Sequence, residues 1–199
     1  AKSCGVHNIL ALRGDPTPQN KTQSGSIGWQ SGDVSGGSCC DRAIDLVRLI
    51  RTLHGDTFGI AVAGHPEGNK DIDPKGGMAN VNDALRWKQK FSDTTDAKMA
   101  LATQFAFEAK PIIAWVDSLK EAGSDIPVHI GIAGPAKLQT MIKFAIACGV
   151  GPSLKVLQKR AKDVTKLLLP FEPTTVLSEL AAHKAANPDF NIEKVHFFP

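Results

Sequence analysis

Five short and almost continuous apolar runs, separated by long segments with helical periodicity, limit what this chain of 199 residues can form. The runs are residues 8–12, 59–63, 99–103, 128–132 and 194–198. Parallel strands that are covered on both faces have this composition. Strands that alternate with helices are typical of βαβ units with right-handed crossovers. The sequence therefore predicts an α/β fold built on a parallel sheet.

The segments between these runs carry helix signals. From Asp41 to His54 apolar residues recur every three positions, and Gly55 supplies a stop signal at the end. Further helices are predicted at about residues 79–91, 111–123, 135–148, 153–169 and 174–186. Each predicted helix connects or follows predicted strands, as expected for crossovers in a parallel sheet.

The number of strands leaves two architectures open. Five strands cannot close an eight-stranded barrel, which typically needs about 250 residues, whereas they can form an open doubly wound sheet. The chain begins just before its first predicted strand and stops at its last one, so we expect both ends of the fold to be cut. Neither a G-x-G-x-x-G turn nor a phosphate-binding P-loop follows a predicted strand.

Composition excludes several classes of protein. Hydrophobic residues make up 42% of the chain, which is enough to bury a core and argues against disorder. No apolar run approaches the roughly 20 residues of a membrane span, and the net charge of +3 is too small and scattered for a nucleic-acid surface. We therefore expect a cytoplasmic protein that binds neither membrane nor nucleic acid.

The cysteines fit no metal site. They are Cys4, Cys39, Cys40 and Cys148, and no spacing among them matches a set of metal ligands. We expect four free thiols in a reducing compartment, with Cys4 and Cys148 serving as small buried residues.

Polar residues gather where the predicted strands end, which is where α/β folds bind ligands. Arg13, Gly14 and Asp15 follow the first strand, before a polar segment over 16–38 that has no periodicity. A loop of that length inside a compact domain is usually either functional or disordered. An Asp-Pro turn of purely structural meaning explains the same residues equally well.

The ends of the second and third strands carry further candidates. His65 and Asn69 follow the second strand, and His65 can act as an acid-base group, a stacking surface or a simple turn residue. Gln104 ends the third strand, and its amide can both donate and accept hydrogen bonds with a planar heterocycle. Asp83 and Lys90, on the second predicted helix, have by pattern alone the appearance of a solvated face.

Several of these segments together resemble the methylenetetrahydrofolate reductase family. They are NILALRGDP at 8–16, AIDLV at 43–47, FGIAVAGHPEG at 58–68, TQFAF at 103–107 and VHFF at 195–198. The segments follow the order and approximate spacing of that family, and the resemblance covers nearly the whole chain.

The resemblance implies a (β/α)8 TIM barrel, of which this chain, as a single domain over residues 1–199, supplies about the last five β/α units. It implies the reduction of 5,10-methylenetetrahydrofolate to 5-methyltetrahydrofolate with NAD(P)H, with FAD as the hydride relay. The first units of the barrel, with the acidic proton donor of the family, then lie outside this chain. We expect missing strands or another chain to complete the fold, and homo-oligomers stay open.

Site residues follow from the resemblance position by position. Arg13, Gly14 and Asp15 match cofactor contacts, and Asp15 also matches a pterin contact. Gln104 matches a residue that touches the pterin or the nicotinamide. Asp15 and Gln104 are therefore the predicted catalytic residues, because a carboxylate can orient the pterin ring and favour an iminium-like form of the substrate.

The implied flavin contacts are only partly retained. Ala43, Asp83 and Lys90 match flavin-contacting positions of the family. His65 stands where the family usually has a ring-stacking tyrosine, and Asn69 stands where it has a histidine. These two departures predict weak or no binding of FAD, and direct hydride transfer from the nicotinamide to the folate.

Two other functions compete with the reductase. One is a folate-binding or regulatory module that keeps the pterin pocket and lacks redox activity. The other is an unrelated open α/β enzyme that uses His65 and Asp15 as an acid-base pair. Cofactor-dependent turnover separates the reductase from both.

Overall fold

The structure, a computed structural model, describes residues 2–12, 43–69, 72–147 and 171–198. Its strands are β1 (Asn8–Ala11), β2 (Gly59–Gly64), β3 (Met99–Ala106), β4 (Val128–Ala133) and β5 (Ile192–Phe198). Its helices are α1 (Ala43–His54), α2 (Ala79–Asp93), α3 (Ala109–Glu121), α4 (Leu138–Ala147) and α5 (Thr174–Ala186), with a short 3-10 helix at Lys2–Cys4. The helix predicted at 153–169 lies outside the described residues.

The five strands form one parallel sheet in the order β1-β2-β3-β4-β5. Every strand is paired with its neighbour along the chain, for example Ala11 of β1 with Val62 of β2. A doubly wound sheet reverses its strand order at a switch point, and this sheet does not. The strands are therefore arranged as a sector of a β/α barrel, and the predicted parallel α/β sheet is confirmed.

One face of the sheet is packed against helices. Alternate residues of each strand point to this face, and they meet apolar residues of α1, α3 and α5. Its most completely buried residues are Val47, Val62, Leu101, Ile112, Val116, Ile126, Val128, Ile130 and Ile132. Full burial stabilises such a side chain by roughly 1.5–3 kcal/mol each, so this layer holds the fold together.

A glycine sets how closely α3 can approach the sheet. Gly64, at the end of β2, is buried, and a Cβ atom there would lie 2.8 Å from Cη2 of Trp115 on α3. Trp115 is 8% exposed, so its indole has no free space into which it can move. Glycine at this position therefore allows the indole to pack directly on the strand.

The helix α4 does not belong to this layer. Its residues Leu138 and Met141 pack with Phe105, Phe107 and Phe171 in a second cluster beside the end of β3. The helix was predicted to begin at residue 135, and this was wrong, because it begins at Leu138. The preceding residue Ala136 instead forms an antiparallel bridge with Phe171, whose N–H donates to the Ala136 carbonyl oxygen at 3.0 Å.

The two outer strands of the sheet carry exposed apolar side chains. Leu10 of β1 is 49% exposed and Phe197 of β5 is 54% exposed. Within the described ranges no further strand pairs with the outer edge of β1 or of β5. None of the described helices has the length and apolar character needed to cross a membrane.

Cys4 corrects one expectation. It was predicted to be buried, whereas its thiol is free and the residue is exposed in the short 3-10 helix. That helix precedes β1 and lies outside both apolar clusters, so neither cluster covers the side chain. The other three cysteines lie outside the described residues.

Candidate functional site

The carboxyl ends of the parallel strands share one edge of the sheet, and this edge holds the candidate site. His65 follows β2 directly, and Gln104 lies near the end of β3. Phe198 ends β5, and its carbonyl oxygen accepts a hydrogen bond from the N–H of Gly134 at 2.8 Å. Arg13, Gly14 and Asp15 fall outside the described residues, so the structure does not test them.

A buried lysine lies behind the end of β2. Lys88, on α2, is 8% exposed, and its Nζ donates a hydrogen bond of 2.6 Å to the carbonyl oxygen of Ala63. Burial lowers the pKa of this ammonium group to about 8. Sequence reasoning missed Lys88, although its spacing of seven residues from the buried Val81 places both on one face of the helix.

His65 is half-buried beside this lysine. Its burial, and secondarily the positive charge of Lys88, lower the pKa of the imidazole to about 4. The ring is therefore neutral at physiological pH, and it offers one donor, one acceptor and a flat face. It is unsuited to serve as a cationic acid there.

Asn69 accepts hydrogen bonds from residues that follow it in the chain. Its backbone carbonyl oxygen accepts from the N–H groups of Ile72 and Asp73, at 3.2 and 2.8 Å. Its side-chain oxygen also accepts from the Ile72 N–H at 3.2 Å. Gly68, which precedes it, has a φ of 79°, a left-handed conformation that glycine adopts without strain. The segment after β2 is thus shaped locally.

The remaining predicted contacts are peripheral in the described structure. Asp83 is exposed and forms an ion pair with Arg86 one turn further along α2. Lys90 is also exposed, on the solvent side of the same helix, whereas Lys88 faces the sheet. Ala43 is half-buried at the first position of α1.

Gln104 carries an unsatisfied polar atom at this edge. Its side-chain oxygen Oε1 is buried and has no hydrogen-bond partner among the described residues. A buried acceptor without a donor is costly, about 1–3 kcal/mol, so such groups are expected where a ligand supplies the donor. The carboxamide thus has the chemistry to receive an N–H group of a planar ligand.

Phe105, the residue after Gln104 in the chain, belongs to a group of aromatic rings. The Phe105 ring lies 5.5 Å from the ring of Phe107 and 5.5 Å from that of Phe198, both in edge-on geometry. His196 of β5 contacts Phe198 at 5.2 Å.

No metal chemistry is indicated in this part of the chain. Among the described residues no group of three or more histidine, cysteine, aspartate or glutamate side chains is placed to hold a metal ion.

Comparison with known proteins identifies the family. The family model of methylenetetrahydrofolate reductase matches residues 1–164. The chain belongs to the methylenetetrahydrofolate reductase family. Its parallel strands in consecutive order accordingly form part of a (β/α)8 TIM barrel, and the open doubly wound sheet and the unrelated α/β enzyme are set aside.

Several members of the family resemble the chain in sequence. Methylenetetrahydrofolate reductase 1 of Schizosaccharomyces pombe is 34% identical over 151 residues, which are 75% of this chain and 22% of that protein. Methylenetetrahydrofolate reductase (NADH) 1 of Arabidopsis thaliana is 31% identical over 151 residues, 74% of this chain and 23% of that protein. The probable methylenetetrahydrofolate reductase (NADPH) of Caenorhabditis elegans is 29% identical over 132 residues, which are 66% of this chain and 17% of that protein. The chain thus matches about a fifth of the length of these methylenetetrahydrofolate reductases.

Proposed function

We propose that this chain is part of an enzyme that reduces 5,10-methylenetetrahydrofolate to 5-methyltetrahydrofolate with NADH or NADPH. Membership of the family supports the reaction, and the unpartnered buried oxygen of Gln104 is the observation that carries the assignment of the site. Relatives named for NADH and for NADPH are both similar to this chain, so the proposal covers either nucleotide.

Gln104 and Asp15 make different contacts with the ligands in this proposal. The Gln104 oxygen accepts an N–H group of the pterin or of the nicotinamide carboxamide and fixes the orientation of that ring. Asp15 accepts hydrogen bonds from the pterin 2-amino and N3 groups, and its charge favours the electron-poor form that receives a hydride. The nicotinamide cofactor supplies that hydride when bound.

Arg13 and Gly14 bind the nucleotide in this proposal. Arg13 supplies a cation for the diphosphate of the nucleotide, and Gly14 lets the backbone approach it. These roles extend the family resemblance to residues outside the described ranges.

The described residues do not fit FAD well. The imidazole of His65 gives a flavin ring less stacking surface than a tyrosine does. The side-chain oxygen of Asn69 is already engaged by the N–H of Ile72, and Asp83 is paired with Arg86. We therefore assign the cofactor role to NAD(P)H, and no step of the proposed reaction passes through FAD.

Residues 1–199 form a single domain in this proposal, the C-terminal part of the barrel. No strand of the described part of the chain covers the outer edge of β1 or of β5. These edges, and the exposed Leu10 and Phe197, favour further β/α units or another chain against this sheet. A closed barrel removes both edges.

The test is an assay of the full-length protein. NADH or NADPH oxidation is followed with and without 5,10-methylenetetrahydrofolate, and 5-methyltetrahydrofolate is quantified as the product. Folate-dependent oxidation with one equivalent of product per nucleotide is expected. Binding of the folate without turnover would instead support the regulatory module. A protein that shows no folate binding and no turnover would overturn the proposal.

A further inference from the structure

We propose that Thr103 and Gly131 form a clamp that holds a bulge in β3 and thereby positions the carboxamide of Gln104. Both are positioning residues, because they act through Gln104 on the ligand. Their role rests on the proposed function of Gln104 as a ligand contact.

The bulge is visible in the register between β3 and β4. Ala102 is paired with His129, and the next pair is Phe105 with Gly131. Three steps along β3 therefore correspond to two steps along β4, so β3 carries one extra residue there. A bulge at the end of a strand changes the direction of the side chains that follow, and Gln104 lies within it.

Thr103 replaces the strand hydrogen bond that the bulge removes. Its hydroxyl oxygen accepts from the N–H of Gly131 at 2.9 Å and donates to the carbonyl oxygen of Gln104, also at 2.9 Å. The residue is 3% exposed, so water does not compete for these bonds. The hydroxyl thus ties the bulge both to β4 and to the backbone of Gln104.

Gly131 leaves room for the bulged backbone. A Cβ atom at this position would lie 2.7 Å from the carbonyl oxygens of both Thr103 and Gln104, and 2.7 Å from Cε2 of Phe198. No side chain fits there unless the backbone of the bulge moves. Glycine is therefore required by close approach at this position.

The level of the bulge is shared by β5 on the other side of β4. His196 is the register partner of Gly131 on β5. Its ring also contacts Phe198, one of the aromatic residues beside the site. The strands β3, β4 and β5 are thereby joined at the level of Gln104.

The clamp gives the Gln104 oxygen a fixed direction before any ligand arrives. Its Oε1 is buried and lacks a hydrogen-bond partner among the described residues, so rotation of the side chain has not brought this oxygen to a donor. A pre-oriented acceptor loses little entropy on binding and discriminates against ligands without an N–H donor.

The experiment compares Thr103→Val, which removes the hydroxyl at constant shape, with Thr103→Ser, which keeps it. Thr52→Val is the matched control, because the Thr52 hydroxyl bonds the Arg48 carbonyl oxygen on an exposed helix surface. In full-length protein labelled with 15N-glutamine, the side-chain signal of Gln104 is assigned through Gln104→Ala. Dissociation constants for NADH and 5-methyltetrahydrofolate are measured for each variant, both alone and combined with Gln104→Ala.

In the ligand-free protein, Thr103→Val is expected to shift or broaden the Gln104 side-chain signal, whereas Thr103→Ser and Thr52→Val leave it in place. Thr103→Val is also expected to weaken binding of one probe about tenfold, and to have no effect where Gln104 is already alanine. An unchanged signal, or equal weakening in the Gln104→Ala background, overturns the clamp. A wild-type protein that binds neither probe contradicts the proposed function, and the Gln104 signal still decides whether the clamp exists.

Discussion

The Nζ of Lys88 lies 2.6 Å from the carbonyl oxygen of Ala63, across 25 residues of sequence. This bond places an ammonium group behind the end of β2, where the residue is 8% exposed. Burial lowers the pKa of His65, and the charge of Lys88 adds to this effect, so a helix residue contributes to the protonation of a strand-end residue. Stability at alkaline pH therefore tests Lys88, and stability at acid pH tests His65.

Alkaline stability tests the burial of Lys88. Its folded pKa of about 8 lies below the unfolded value of 10.5, so the unfolded chain binds more protons between these values and stability rises with pH there. Relative to Lys88→Met, the wild-type free energy of unfolding should rise by about 3 kcal/mol over that window in urea titrations. Lys90→Met, two residues along on the exposed side, is the control and should not differ from wild type in its pH dependence.

Acid stability tests His65. Its folded pKa of about 4 lies below 6.5, so the unfolded chain binds more protons between these values and stability falls as the pH falls through them. Near pH 4.5 the wild type should have lost about 2 kcal/mol more than His65→Gln, measured by urea unfolding. The exposed His54→Gln serves as the control. Parallel wild-type and His65→Gln curves would show that His65 is solvated.

Asp15→Asn should reduce the rate of folate reduction far more than it reduces stability. A positioned carboxylate can change a rate by about a hundredfold, whereas a polar residue at a strand end contributes little packing. Turnover and melting temperature of full-length protein are measured together, with the exposed Asp56→Asn as control. A large loss of stability with full activity in the refolded variant would make Asp15 structural.

Flavin binding should be weak or undetectable in the full-length protein. Planar cofactors gain much of their affinity from apolar ring contact, and His65 supplies less of it than a tyrosine. The pure protein is titrated with FAD, and folate reduction is assayed with and without it; His65→Tyr is expected to bind FAD more tightly. Stoichiometric flavin after purification, or activity only with added FAD, would contradict this prediction.

Residues 1–199 expressed alone should not give a stable monomer. Among the described residues no strand pairs with the outer edge of β1 or of β5, and Leu10 and Phe197 expose apolar surface. Light scattering and urea unfolding of this fragment should show association or a loss of cooperativity. A monodisperse monomer with cooperative unfolding would refute the expectation.

The sequence by itself determined the elements and their order. The apolar runs at 59–63 and 128–132 predicted β2 and β4 to within one residue, because the strands of a parallel sheet are marked by their own near-continuous apolar composition. The helices α1, α2, α3 and α5 also appear where periodicity predicted them. The ordered strand-end segments were sufficient to indicate the family.

Only the tertiary structure decided which polar side chains meet. Lys88 rather than Lys90 reaches the strand end, because the rotation of α2 against the sheet selects one face of the helix. The bulge that carries β3 on to Ala106 depends on its register with β4, which joins residues 28 apart in sequence through the bond between Gly131 and Thr103. Local sequence signals fix backbone conformation, whereas register and helix rotation are set by packing between distant segments.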